Sequence, residues 1–250
     1  MDQHGKHRSL VKLAAIALLA VFSLCLNAAP AFANCRLALV LAIDVSSSVD
    51  EAEYELQKVG LAAALDAPDV RDAILYGADG YVSLAVFEWS GFGQQVLQLD
   101  WTALRSQSDI SRAAASLAKM ERSHDDFPTS IGPALGYAAQ LLTRGPSCTR
   151  RVIDVSGDGV NNDRYGPKEA YRHFRFDGVT VNGLVILGDD PEVANYYGRE
   201  ILRGAQAFMV IANGYEEFRS AMARKLYREV SNIVVGRATF DAPDSKAEGG

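Results

Sequence analysis

An aspartate and two serines at alternate positions, Asp44, Ser46 and Ser48, follow directly on the apolar run Leu37–Ile43, in the segment Asp44-Val45-Ser46-Ser47-Ser48-Val49-Asp50. Carboxylate and hydroxyl oxygens are hard donors, the kind that Mg²⁺ and Mn²⁺ prefer. A plainer use of the same residues is local: Ser47, Ser48 or Asp50 could cap the following helix, which accounts for one residue but not for the alternation. Two further segments offer oxygens. Ser156-Gly157-Asp158-Gly159 sets one carboxylate between two glycines after a second apolar run, and continues into Val160-Asn161-Asn162-Asp163. In Asp126-Phe127-Pro128-Thr129-Ser130-Ile131-Gly132, Thr129 stands just before a helical pattern, where a threonine also serves as a cap. Asn161, Asn162 and Asp163 either add ligands or form a turn, the commoner use of such residues. His124, Asp125 and Asp126 read as a solvated rim, and Trp89 with Phe92 as an aromatic lip, unless Trp89 belongs to the core.

Catalytic uses of the same residues fit less well. Asp44 after a first strand could be the nucleophile of an aspartyl-phosphate type of phosphatase. That chemistry wants a second acid two residues on, and Ser46 stands there. A serine hydrolase wants G-x-S-x-G at a strand-to-helix turn, which Ser156–Gly159 does not supply. No glycine-rich dinucleotide turn follows Leu37–Ile43. The donors are oxygens rather than the imidazoles and thiolates of a zinc site.

These residues need a scaffold that brings separate loops to one place, and the chain alternates short apolar runs with helical stretches. Leu37–Ile43 reads as a strand buried on both faces, followed by a helix over 50–65 that Pro68 ends. Tyr81–Trp89 is a second strand, and Gln95–Leu99 a short third joined to it by a hairpin through Ser90-Gly91-Phe92-Gly93. A helix capped by Ser108 runs to Lys119, and another spans Ser130–Leu142. Arg151–Val155 and Val181–Leu187 are the fourth and fifth strands, with a helix Lys168–Phe176 between them. A helix Pro191–Leu202, a short strand Ala207–Ala212 and a closing amphipathic helix Tyr215–Val230 complete the pattern. Such alternation predicts an α/β fold: a doubly wound, mostly parallel six-stranded sheet with one antiparallel edge strand and helices on both faces. Ligands of such folds sit beyond the carboxyl ends of the strands, where strand order reverses.

The order D-x-S-x-S after the first strand, Thr129 before a mid-domain helix, and Asp158-Gly159 after the fourth strand resembles the metal-ion-dependent adhesion site of von Willebrand factor A domains. The likeness covers about residues 36–235, and S-G-D-G-V-N-N-D is similar to an uncharacterised branch of exported bacterial proteins of this type. The resemblance implies a site made of Asp44, Ser46, Ser48, Thr129 and Asp158 around a divalent cation, Mg²⁺ before Mn²⁺ or Ca²⁺. It implies that Ser46 and Ser48 touch the metal, Thr129 directly or through water, and Asp44 and Asp158 largely through water. Neutral hydroxyls leave the cation's charge poorly neutralised, and Mg²⁺ completes its shell from outside. The expected function is metal-dependent capture of another protein through an acidic side chain, without catalysis. The alternative is a metal that only holds the loops together, with recognition elsewhere.

The two ends of the chain bear on where this happens. Lys6, Arg8 and Lys12 precede an apolar run Leu13–Leu26 and the small-residue pattern Ala31-Phe32-Ala33. This is the design of a secretory signal peptide cleaved after Ala33. The run is shorter than the ~18–20 residues that span a bilayer, so no membrane insertion is expected after signal removal. The expected organisation is signal peptide 1–33, one von Willebrand factor A-like domain over 34–236, and a flexible polar tail over 237–250, in the periplasm or secreted. Losing 1–33 removes three basic residues and Asp2, taking the formal net charge from −6 to −8. That disfavours nucleic acid and anionic lipid as partners, and nothing in the sequence resembles a basic stripe. Cys35 and Cys148 remain, at the starts of two strands that could be neighbours, so export predicts a disulfide between them rather than two buried free thiols.

Overall fold

The computed structural model describes residues 34–188 and 191–231. The expected signal segment 1–33 and tail 237–250 lie outside the described residues.

Every residue of β1 (Cys35–Asp44) is buried, because β1 sits inside the sheet and helices cover both its faces. Its side chains alternate. Leu37, Leu39, Leu41 and Ile43 enter one core, while the smaller Ala38, Val40 and Ala42 enter the other. The bulky side packs against α1 (Glu51–Leu65), α2 (Pro68–Tyr76), α3 (Gln107–Leu117) and α7 (Phe218–Val230). The small side packs against α4 (Ile131–Arg144), α5 (Pro167–His173) and α6 (Val193–Tyr196), with the π-helical turn Tyr197–Ile201 that continues α6.

The six strands lie in the order β3-β2-β1-β4-β5-β6. With β2 (Tyr81–Trp89), β4 (Arg150–Gly157), β5 (Val179–Ile186) and β6 (Met209–Ala212), β1 forms a parallel set. β3 (Gln95–Leu104) closes one edge antiparallel to β2. The doubly wound arrangement expected from the alternation is therefore present, antiparallel edge included. β1 and β4 are adjacent, yet the chain leaves β1 for α1 on one face and leaves β4 for α5 on the other. Their carboxyl ends form the point where strand order reverses. At the opposite edge Cys35 and Cys148 are joined in a disulfide, 113 residues apart in sequence.

Several boundaries differ from the sequence expectation, each for a local reason. α1 stops at Leu65, and Pro68 starts the nine-residue α2 from its first turn, where proline's missing N–H costs nothing. β3 runs to Leu104, twice the expected length, because Asp100 interrupts the apolar pattern while the strand continues beyond it along the sheet edge. α3 is capped by Ser106, whose Oγ accepts from the Asp109 amide at 3.2 Å, and not by Ser108. The expected helix Pro191–Leu202 is one α-turn followed by the π turn.

Candidate metal centre

Asp44 is the last residue of β1 and wholly buried. Its Oδ1 accepts the Ser46 amide at 2.8 Å, while Oδ2 has no hydrogen-bond partner. Burial, and then the charge of Asp158, push its carboxyl up to about 8. A buried carboxylate oxygen with neither donor nor cation is costly to ionise. The three hydroxyls continue from there. Ser46 Oγ lies 3.3 Å from Ser48 Oγ and accepts from Thr129 Oγ1 at 3.2 Å. Ser48 Oγ donates to Asp158 Oδ1 at 2.8 Å. All five residues singled out in the sequence thus lie together, from three loops. Asp44, Ser46 and Thr129 form a buried floor, with Ser48 exposed and Asp158 part-exposed at the mouth.

The spacing suits a small hard cation. Neighbouring oxygens of an octahedral shell at about 2.1 Å from Mg²⁺ stand about 3 Å apart, and the contacts here run from 2.8 to 3.3 Å. The donor set, three hydroxyls and two carboxylates, is hydroxyl-rich and oxygen-only. The orphaned Oδ2 of Asp44 supplies the charge such a cation would balance.

Further residues hold these loops in place, of which only Asp50 carries a sequence signal. The Arg122 guanidinium gathers the first loop: Nη2 donates to the carbonyls of Val45 and Ser46, both at 3.2 Å, and of Val49 at 2.6 Å, while Nε donates to His124 O at 2.8 Å. Gln57 Nε2 donates to Asp44 O at 2.9 Å. Asp50 caps α1 in a reciprocal box with Glu53. Backbone bonds Val45 N to Trp89 O and Ser47 N to Phe127 O, both 2.9 Å, tie the loop to its neighbours.

Asn161, Asn162 and Asp163 do more than make a turn. Asn162 Oδ1 accepts the Thr129 amide at 2.9 Å, and its own amide donates to Thr129 O at 3.0 Å. Asn161 Oδ1 accepts the Gly132 amide in the first turn of α4 at 3.2 Å. Asp163 Oδ2 accepts from Ser130 Oγ and from the Phe92 amide. They clamp the threonine loop to the Asp158 loop. Ser130, at the N-cap position of α4, makes no side-chain capping bond, and the Thr129 hydroxyl faces the site instead of the helix.

Gly157 allows the closest approach. A Cβ there would lie 2.6 Å from Asp44 Oδ2 and 2.9 Å from the Tyr197 hydroxyl, which is buried and unpartnered. Tyr197 comes from the π turn, and its ring fills the space that the Cβ-free Gly183 leaves on β5. Tyr215 is likewise buried, and its hydroxyl is held protonated by burial beside Asp158. Neither carries a sequence signal, since Tyr197 stands before Gly198-Arg199-Glu200 and Tyr215 between Gly214 and Glu216-Glu217. Of the expected aromatic lip, Trp89 is core, while Phe92 is exposed beneath the Arg164 guanidinium at 5.1 Å. Asp125 and Asp126 are exposed, and the His124 ring packs edge-on to Phe127.

A family model described as "Protein of unknown function (DUF1194)" matches residues 34–234. A search of the curated proteins returned no match. Among solved structures, proximal thread matrix protein 1 from the mussel byssus, described with zinc occupying its MIDAS motif, is 14% identical over 80% of this chain and 49% of its own, with a TM-score of 0.54. A von Willebrand factor type A protein from Catenulispora acidiphila is 17% identical over 79% of this chain and 42% of its own, TM-score 0.51. The open conformation of the pilus adhesin SpaC from Lactobacillus rhamnosus GG is 13% identical over 78% and 30%, TM-score 0.57. The chain spans half or less of these three structures, and what it shares with them is the fold.

Proposed function

The chain belongs to the DUF1194 family, whose domain is von Willebrand factor A-like, and from that premise we propose that it is an exported, metal-dependent protein-binding domain. The observation that carries this reading is the continuous set of oxygen contacts from Thr129 through Ser46 and Ser48 to Asp158, opening to solvent beside an Asp44 oxygen without a partner.

Ser46, Ser48 and Thr129 would hold Mg²⁺ through their hydroxyls, with Asp44 and Asp158 balancing its charge from beside them. When bound, the cation supplies an exchangeable position for a carboxylate of another protein. The chain's own part is rigidity. Arg122, Gln57 and Asn162 fix the loop carbonyls and amides, so the hydroxyls do not have to be ordered on binding. A nucleophilic role for Asp44 has little support, because its free oxygen lies against Gly157 in the buried floor. A closed, purely structural metal is disfavoured by the exposure of Ser48 at the mouth.

Export rests on the leader-like segment 1–33, removed to leave a domain over 34–236 with a short tail. The disulfide Cys35–Cys148 suits the oxidising conditions of the periplasm or exterior. No helix among the described residues is long and apolar enough to cross a membrane.

Mn²⁺ substitution tests the reading directly. Water-proton relaxation should report Mn²⁺ bound to the wild type and not to Asp44→Ala. A glutamate-containing peptide should then lower the relaxation by displacing bound water. Binding of Mn²⁺ with no effect of any acidic peptide would leave a structural metal and overturn the capture mechanism.

A further inference from the structure

The chain carries a net charge of −6, yet one cleft on its surface is lined mainly by cations. It has a volume of about 580 Å³ and lies between α5 and the π turn, where Lys168, Arg172, Arg199 and Arg203 face a single acid, Glu200. Lys168 and Arg172 stand one turn apart on α5, Arg199 is carried outward by the π turn, and Arg203 follows it.

These cations are not consumed by the protein's own acids. Lys168 and Arg199 make no hydrogen bond or ion pair among the described residues. Arg172 meets only Glu169, at 3.9 Å and exposed, a pair worth little in water.

Arg203 is placed as a fixed donor. Its backbone is bridged to Val181 of β5 by two hydrogen bonds, at 2.8 and 3.1 Å. Its guanidinium lies 4.7 Å from the centre of the Tyr171 ring, and the Tyr171 hydroxyl is anchored on Ile201 O. A guanidinium stacked on a ring keeps its N–H edge free for an oxyanion. The π turn is an independent sign. Such turns weaken helical hydrogen bonding and recur at functional sites. Here the turn buries Tyr197 and exposes Arg199 two residues later.

We propose that this cleft is a second binding site, for a phosphate-bearing ligand. Four cations around one opening exceed what a lone carboxylate needs. They suit a multiply charged tetrahedral oxyanion, which two guanidinium groups can grip by paired hydrogen bonds. The site does not depend on the metal centre.

Calorimetric titration of the full chain with inorganic pyrophosphate, in chelator, tests a soluble source. Co-sedimentation with phosphatidylcholine vesicles, with and without phosphatidic acid, tests a lipid headgroup. Saturable binding of either probe is expected, weakened about tenfold or more when Arg199→Ala and Arg203→Ala are combined. It should be unchanged by Arg144→Ala with Arg175→Ala, which removes the cations of a separate pocket between α4 and α5. All four arginines are exposed, so neither double variant should disturb folding. No saturable binding of either probe, or equal weakening by both double variants as diffuse attraction would give, overturns the proposal.

Discussion

Asp44 and Asp154 are both buried in the middle of the sheet, on neighbouring strands and opposite faces, but they are neutralised differently. Asp154 lies across from Leu41 in the β1–β4 pairing and has its cation built in: Lys225 Nζ of α7 sits 2.8 Å from Asp154 Oδ2 and 3.1 Å from Glu229 Oε1. Asn182 completes that cluster, donating to Glu229 at 2.7 Å and accepting the Phe208 amide at 2.8 Å. Burial raises the Asp154 carboxyl, and Lys225 holds the rise back. Asp44 has no such lysine. Its nearest help is the Ser46 amide, and the neighbouring charge of Asp158 works against it. One region carries its counter-charge in the sequence, whereas the other surrounds its carboxylate with hydroxyls and a second acid. The contrast supports the proposal that the second binds a cation from solution.

The largest effect should come from breaking the self-contained cluster. Lys225→Met leaves Asp154 and Glu229 buried together without their cation, which should cost about 3–5 kcal/mol in urea unfolding whether or not magnesium is present. A variant as stable as the wild type would mean that the two regions do not differ as described. Next, Gly157→Ala forces a methyl against Asp44 Oδ2 and the Tyr197 hydroxyl. We expect it to cost about 1–3 kcal/mol from overpacking and to weaken magnesium uptake by calorimetry, leaving the Lys225 cluster intact.

The smallest effect is in pH. In metal-free protein the Asp44 carboxyl is raised to about 8, while an unfolded aspartate titrates near 3.9. The folded chain therefore holds a proton that the unfolded chain has released. The contribution to stability is fully present below about pH 4, is lost as pH rises toward 8, and is constant above. A cation that takes over from the proton should reverse this loss. The gap between melting temperatures in magnesium and in chelator should widen from pH 5 to pH 8. A gap independent of pH would place the cation away from Asp44.

The same contrast explains what was legible in the sequence. β1 is legible because burial on both faces leaves an unbroken apolar run, and the D-x-S-x-S, threonine and Asp-Gly positions are legible as a set through their resemblance to the metal-ion-dependent adhesion site of von Willebrand factor A domains. Arg122 was not legible: its contacts with Val45, Ser46 and Val49 span 73 to 77 residues and go to backbone carbonyls, which carry no residue signature. Asn162 looked like an ordinary turn residue because its partner, Thr129, is distant in sequence but adjacent across the site. The π turn was hidden because the apolar spacing of Val193, Tyr197 and Ile201 is also that of an α-helix. Lys225 and Glu229 stood in an amphipathic pattern that reads as solvated, and only the packing of α7 on β4 shows them buried.

Calorimetric titration of Mg²⁺ at pH 8 into the wild type and into Asp44→Asn tests the central claim most directly. The account predicts one-site uptake by the wild type and none by Asp44→Asn, whose metal-free form should melt at the same temperature or higher because a buried, unpartnered charge is gone. No uptake by the wild type, or equal uptake by both proteins, would contradict it.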